Sequence, residues 1–129
     1  MRRLFALALI AVVAGCGGAN EPSPVDRPEL LAAFSGIGEP LTLRLDMRRA
    51  DPGSPVDAIF VPAAADVRKP PFEVDLFDNE DGARKNSRSA ESAAGGKAEV
   101  VLHKNVIMFL APFTAKERRK RLISALMSL

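Results

Sequence analysis

Val106-Ile107-Met108-Phe109-Leu110 is the stretch on which the fold turns. It is uninterruptedly apolar, holds two β-branched residues and a Phe, and is closed by Pro112. A run this short and apolar on both sides predicts a strand covered on both faces, inside a sheet. Upstream, Lys104-Asn105 reads as a turn and residues 98–103 as the partner strand of a hairpin. Before that, Gly95-Gly96 stops a helix over 79–93, capped by Asp78 or Asn79, with Glu80 and Asp81 at its positive end. Its apolar side is thin (Ala83, Ala90, Ala93, Ala94), so it packs weakly, or closely through small residues.

Further upstream, Phe72, Val74 and Leu76 alternate with Glu73 and Asp75 as a third strand. Residues 56–61 make a second, ended by Pro62. The turn cluster Asp51–Pro55 joins it to a first strand over 41–48. In that first strand Leu41, Leu43, Leu45 and Met47 alternate with polar residues, which predicts one buried and one wet face. A helix over 28–35 opens the domain, with Asp26 as N-cap and Glu29 three residues on; too few cations flank it for a membrane-lying helix. After the central strand, Thr114 and Glu117 match a capping box for a last helix packed through Leu122, Ala125, Leu126 and Leu129. The order α-β-β-β-α-β-β-α predicts an α+β, two-layer domain: a mostly antiparallel sheet of about five strands with helices on one face. The strand-helix-strand piece over 72–103 could add one parallel pair by a right-handed crossover.

The beginning of the chain has a different character. Arg2 and Arg3 precede an unbroken apolar run, Leu4 to Ala14, too short to span a bilayer, which takes roughly 20 residues. Charge, short apolar run and small residues follow the order of a secretory signal. Val13-Ala14-Gly15-Cys16 then matches, residue by residue, the apolar-small-Gly-Cys box of bacterial lipoproteins, whose signal peptides this leader resembles. The resemblance implies cleavage before Cys16, lipid on its sulfur, and attachment to a membrane of the cell envelope facing the periplasm or exterior. Gly17 in place of the Asp linked to inner-membrane retention favours the outer membrane where the cell has one. The expected organisation is a signal peptide at 1–15, a lipidated Cys16 with a flexible Gly- and Pro-rich tether at 16–27, and one domain at 28–129.

Composition narrows the function. Of 129 residues, 18 are Lys or Arg and 16 are Asp or Glu, and Arg2 and Arg3 leave with a cleaved leader. The remainder is formally neutral, so the chain carries no nucleic-acid signature. With a single Cys no intrachain disulfide forms. The absence of Trp and Tyr weakens both sugar binding on aromatic platforms and interfaces built on such side chains.

Chemistry-bearing motifs fare poorly. Placing Gly82 at the sixth position of a calcium loop puts Phe77 and Arg88 where oxygen ligands are needed. Acidic capping explains Asp75 to Asp81 more simply. His103 is the only His and Cys16 is committed to lipid, so no imidazole or thiolate cluster forms and no cofactor is expected. His103 lies at a hairpin turn without a nucleophile or orienting acid in its spacing. Ser35 misses both glycines of a nucleophile elbow, and Gly36-Ile37-Gly38 lacks a third Gly and a preceding strand. The strongest local charge is Lys116, Arg118, Arg119, Lys120 and Arg121 in the last helix. Two readings stand for it: a solvated helix start whose stems lie over the core, or a contact with anionic lipid headgroups or an acidic partner. The expected function is a non-catalytic, lipid-anchored binding or assembly module of the envelope, with a protein partner. The alternatives are a small-ligand or metal-ion binding lipoprotein, using residues 75–81 or the sheet face, and a hydrolase.

Overall fold

The computed structural model describes residues 23–66 and 68–129. Nine elements follow one another: α1 (Arg27–Gly36), β1 (Leu41–Asp46), α2 (Met47–Ala50), β2 (Val56–Pro62), β3 (Phe72–Phe77), α3 (Glu80–Ala94), β4 (Glu99–His103), β5 (Val106–Leu110) and α4 (Lys116–Met127). The five strands form one sheet in the order β1-β2-β3-β5-β4, and every neighbouring pair is antiparallel. The α+β class and the five-stranded antiparallel sheet are those the sequence predicts. The parallel pair is not present. The chain leaves β3, runs through α3, and lays β4 at the edge, after which β5 returns between the two. That arrangement gives the apolar Val106–Leu110 strand neighbours on both sides, and only Phe109 of the five stays partly open.

Alternation sorts the sheet into two faces. On the inner face Ala58, Phe60, Phe72, Val74, Leu76, Val106, Met108 and Leu110 meet Leu30 and Phe34 of α1 and Leu122 and Leu126 of α4. The Phe34 and Phe72 rings stack with centroids 6.1 Å apart. α3 is the departure from a one-sided layer of helices. It crosses to the outer face, where Ala83 packs with Phe77 and Ile107 beside Val100, Leu102 and Phe109. Ala83 and Ser87 are its buried residues. Side chains this small let the helix lie close over the β5–β4 half. Over β3 the helix reaches Phe77, while Leu45 of the edge strand β1 lies open on this face.

Local signals explain most boundaries. Asp26 caps α1 in a capping box: its Oδ1 accepts from Glu29 N at 2.9 Å and Glu29 Oε1 accepts from Asp26 N at 3.3 Å. Asn79 caps α3 by accepting from Gly82 N at 2.8 Å, and Gly95 ends it at φ 54°, a left-handed conformation that costs a glycine little.

Four expectations change. β1 stops at Asp46 and Met47 begins the one-turn α2, because the Asp46 side chain accepts from Arg48 N and caps it. Within β1 the register shifts between Leu43, opposite Phe60, and Leu45, opposite Ile59. This bulge at Arg44 moves Leu45 to the outer face, and at the sheet edge Leu43 and Leu45 are 45% and 42% exposed. Thr114 does not cap α4. Its hydroxyl donates to Pro71 O at 2.7 Å, and the N-cap is Ala115, without a side-chain hydrogen bond. The fold also begins earlier than residue 28: Val25 is 4% exposed in the main core, and Arg27 is already helical and ion-paired.

Candidate functional site

Strand direction gives the domain two ends. One gathers Val25, the β4–β5 turn, the end of β3, α2 and the start of α3. This is the near end, where Val25 enters the core. The far end gathers the start of β1, the end of β2, the 63–71 loop, the 111–115 turn and the start of α4.

At the near end Asn105, 1% exposed, fastens the arriving chain. Its Oδ1 accepts from Val25 N at 2.8 Å, and its Nδ2 donates to Val25 O at 2.9 Å and Phe77 O at 2.8 Å. Lys104, at φ 52°, makes the turn that aims Asn105 inward. Beside this clamp Arg27 bridges Asp57 at 2.6 Å and Asp46 at 3.0 Å, while Arg48 holds Asp57 at 3.0 Å and Asp78. The Asp57 hydrogen bond, followed by that of Asp46, raises the Arg27 guanidinium above its ordinary value. Reciprocally, Arg27 holds both carboxyls below theirs, against a burial that works the other way. Arg84 takes both Glu80 and Asp81 at 3.0 Å. Three arginines thus face five carboxylates; with Arg49, Lys85 and Lys104 against Asp26, Glu29 and Asp51, this end holds two more acidic than basic groups.

The acidic stretch 75–81 does not converge. Asp78, Glu80 and Asp81 are taken by Arg48 and Arg84, and Asp75 stands apart on the outer face of β3, opposite Ile59 and Ile107. Among the described residues no three metal-ligating side chains gather. Asp75 is half-buried, its Oδ1 wholly so and without a hydrogen-bond partner. Burial, then the hydrogen-bonding and charge of neighbouring Glu73, push its carboxyl up to about 8, with Arg44 pulling weakly the other way. Arg44 itself reaches from the bulge to Glu73 at 2.8 Å. With Asp75 standing apart and Asp78, Glu80 and Asp81 ion-paired, the geometry lends calcium no support.

At the far end the last-helix cations part company. Arg118 forks onto Glu39, Nε to Oε2 at 2.6 Å and Nη2 to Oε1 at 2.9 Å, and its guanidinium lies 5.6 Å from the centroid of the Phe72 ring. Arg119 pairs with Glu99 and donates to Ala111 O at 3.3 Å. Lys120 lies 3.9 Å from Glu117. Lys116 and Arg121 are exposed and have no ion-pair partner among the described residues. Two of the five stems therefore fold back over the protein, and the cluster is not one continuous cationic face. Sequence reasoning passed over Phe113, which projects from the 111–115 turn 56% exposed with Lys69 Nζ 5.4 Å from its ring centroid. Pro112 beside it marked only the end of a strand.

His103 hydrogen-bonds through Nε2 to Leu129 O at 3.1 Å, which accounts for it structurally. Ser35 closes the last turn of α1. Cys16 and the leader lie outside the described residues. No helix of the described residues is long and apolar enough to cross a membrane. No family model, curated protein or solved structure matches the chain.

Proposed function

We propose that the chain is a lipid-anchored cell-envelope protein, held to the membrane through Cys16, whose domain serves as a non-catalytic binding or assembly module. The observation that carries this reading is the leader: Arg2-Arg3, the apolar run 4–14 and Val13-Ala14-Gly15-Cys16, in that order and spacing. The fold is compatible with it in one respect. Among the described residues core packing begins at Val25, and the Gly- and Pro-containing sequence 17–24 before it has a contour of at most about 26 Å. A domain on such a link stays within one molecular diameter of its anchor. Two or more acyl chains are needed for a stable anchor, since one alone holds marginally.

The test is Cys16→Ser. The wild type is expected to fractionate with membranes and to take up labelled fatty acid, and the variant to lose both properties. A variant that stays with the membranes, together with a wild type that carries no lipid, would overturn the anchor.

A further inference from the structure

We propose that the far end of the domain, centred on Phe113 with Lys69 and Lys116, is a docking surface for an acidic segment of a protein partner. The inference rests on the tethered reading above only for the direction this end faces.

Charge is the first argument. Around Phe113 the carboxylates are paired: Glu39 has Arg118, Glu99 has Arg119, Asp66 has Arg68 and Glu117 has Lys120. Lys69 and Lys116 are left over, with no carboxylate in ion-pair range among the described residues. The near end has the opposite surplus. The domain is thus polarised along its axis, and its basic end complements an acidic partner.

The second argument is the aromatic anchor. Phe113 is the most exposed of the large apolar side chains in the described residues, yet its turn is fixed. Thr114 donates its hydroxyl to Pro71 O at 2.7 Å and its amide to Ala111 O at 3.0 Å. Arg119 grips the same Ala111 carbonyl. A large apolar ring held outward by a rigid turn costs little entropy to bury, which is how interface anchors behave. At the same end Pro40, Pro62, Ala63–Ala65 and Pro71 line an open cleft between the loops, in which the carboxylates Glu39 and Asp66 are matched by Arg118 and Arg68. Lys69 links the two features, its ammonium reaching the ring from the rim of that cleft.

The third argument bears on which way this end faces. α4 alone sets its two ends about 18 Å apart. For the basic end to lie on the anchoring membrane, the near end would have to stand off by at least that much. This would take the link slightly past the roughly 14–17 Å that eight relaxed residues span, at a small cost in chain entropy. With a relaxed link the acidic end stays near the membrane and Phe113 faces away from it.

The test places the photoreactive residue p-benzoylphenylalanine at Phe113 of the full chain in its own cells, with a second chain carrying it at Arg49 of the near end. Protease resistance checks that each is folded, and membrane fractionation of the same cells reads the anchor separately. Irradiation is expected to give a protein adduct from position 113 and not from 49. Mass spectrometry of the adduct should find a peptide with net negative charge, and Lys69→Glu with Lys116→Glu should cut its yield at least fivefold. No adduct, an adduct with lipid, glycan, a second copy or a non-acidic peptide, or a yield indifferent to the charge reversal would overturn the docking surface. A protein absent from the membrane fraction would instead count against the anchor alone.

Discussion

Asn105 and Val25, 80 positions apart, are joined as two paired strands would be: the amide Oδ1 accepts from Val25 N and its Nδ2 donates to Val25 O. One side chain thereby supplies the backbone partners for the residue at which the chain enters the core. Asn105→Ala would leave these two groups and the Phe77 carbonyl short of a partner in a buried site, at about 1–3 kcal/mol for each group left unsatisfied. The expected total loss is about 3 kcal/mol by urea unfolding, with the Val25 amide losing its hydrogen-exchange protection first. A loss under about 1 kcal/mol would mean that the clamp is decorative.

Asp75 predicts a pH dependence of definite sign. Its folded value of about 8 lies above the roughly 3.9 of an unfolded Asp, so the folded state keeps a proton that the unfolded chain gives up. The contribution is fully present below about pH 4 and is lost as pH rises through 8. Asp75→Asn keeps the shape and removes the titration. Between pH 5 and 8.5 its urea midpoint should gain steadily on that of the wild type. Asp46 and Asp57, held low by Arg27, lose their contribution only in acid and do not compete in this window. Parallel pH profiles for the two proteins would show that Asp75 ionises normally.

Ile107 is 1% exposed between Phe77 and Ala83, under α3. Ile107→Ala should cost about 2 to 5 kcal/mol in a denaturant titration. In native-state hydrogen exchange, Val106 to Leu110 should open only with global unfolding, since β5 is paired on both sides.

The two kinds of cation on α4 should behave differently. Arg118→Ala strands Glu39, whose side chain is only 12% exposed, and strips the Phe72 ring, and should cost about 2 kcal/mol. Arg121→Ala removes an exposed group with no ion-pair partner among the described residues and should change stability by less than about 0.5 kcal/mol. Equal losses in thermal unfolding would contradict the pairing described.

Patterns with a local cause were legible in the sequence. The capping box at Asp26 and Glu29, the Asn79 cap, the Gly95 stop and the doubly apolar β5 each follow from residues a few positions apart. What failed had a distant cause. Nothing in Leu-Thr-Leu-Arg-Leu-Asp announces a bulge, since Arg44 is drawn out of register where Glu73 awaits it. Thr114 fits a cap by spacing, but Pro71 takes its hydroxyl from 43 positions away. The far end was only partly readable for the same reason. Its cations stood out at once, but which were spoken for depended on Glu39 and Glu99, and Phe113 looked like any turn residue. Asn105 read as a turn because its partner lies 80 residues back.

The strand order has a consequence for how the protein is made. Synthesis delivers β1, β2 and β3 first, then α3 and β4, and β5 last among the strands. Until β5 arrives, β3 is a bare edge with Phe72, Val74 and Leu76 in it, and β4 has no neighbour to hold it in place. α3 cannot close over a floor whose Ile107 is still missing. Docking of the β4–β5 hairpin sideways onto β3 would complete both layers in one event. A nascent chain stopped anywhere before Val106 presents an open apolar edge of the kind on which chains aggregate, so the interval between β3 and β5 is when this protein most needs an escort.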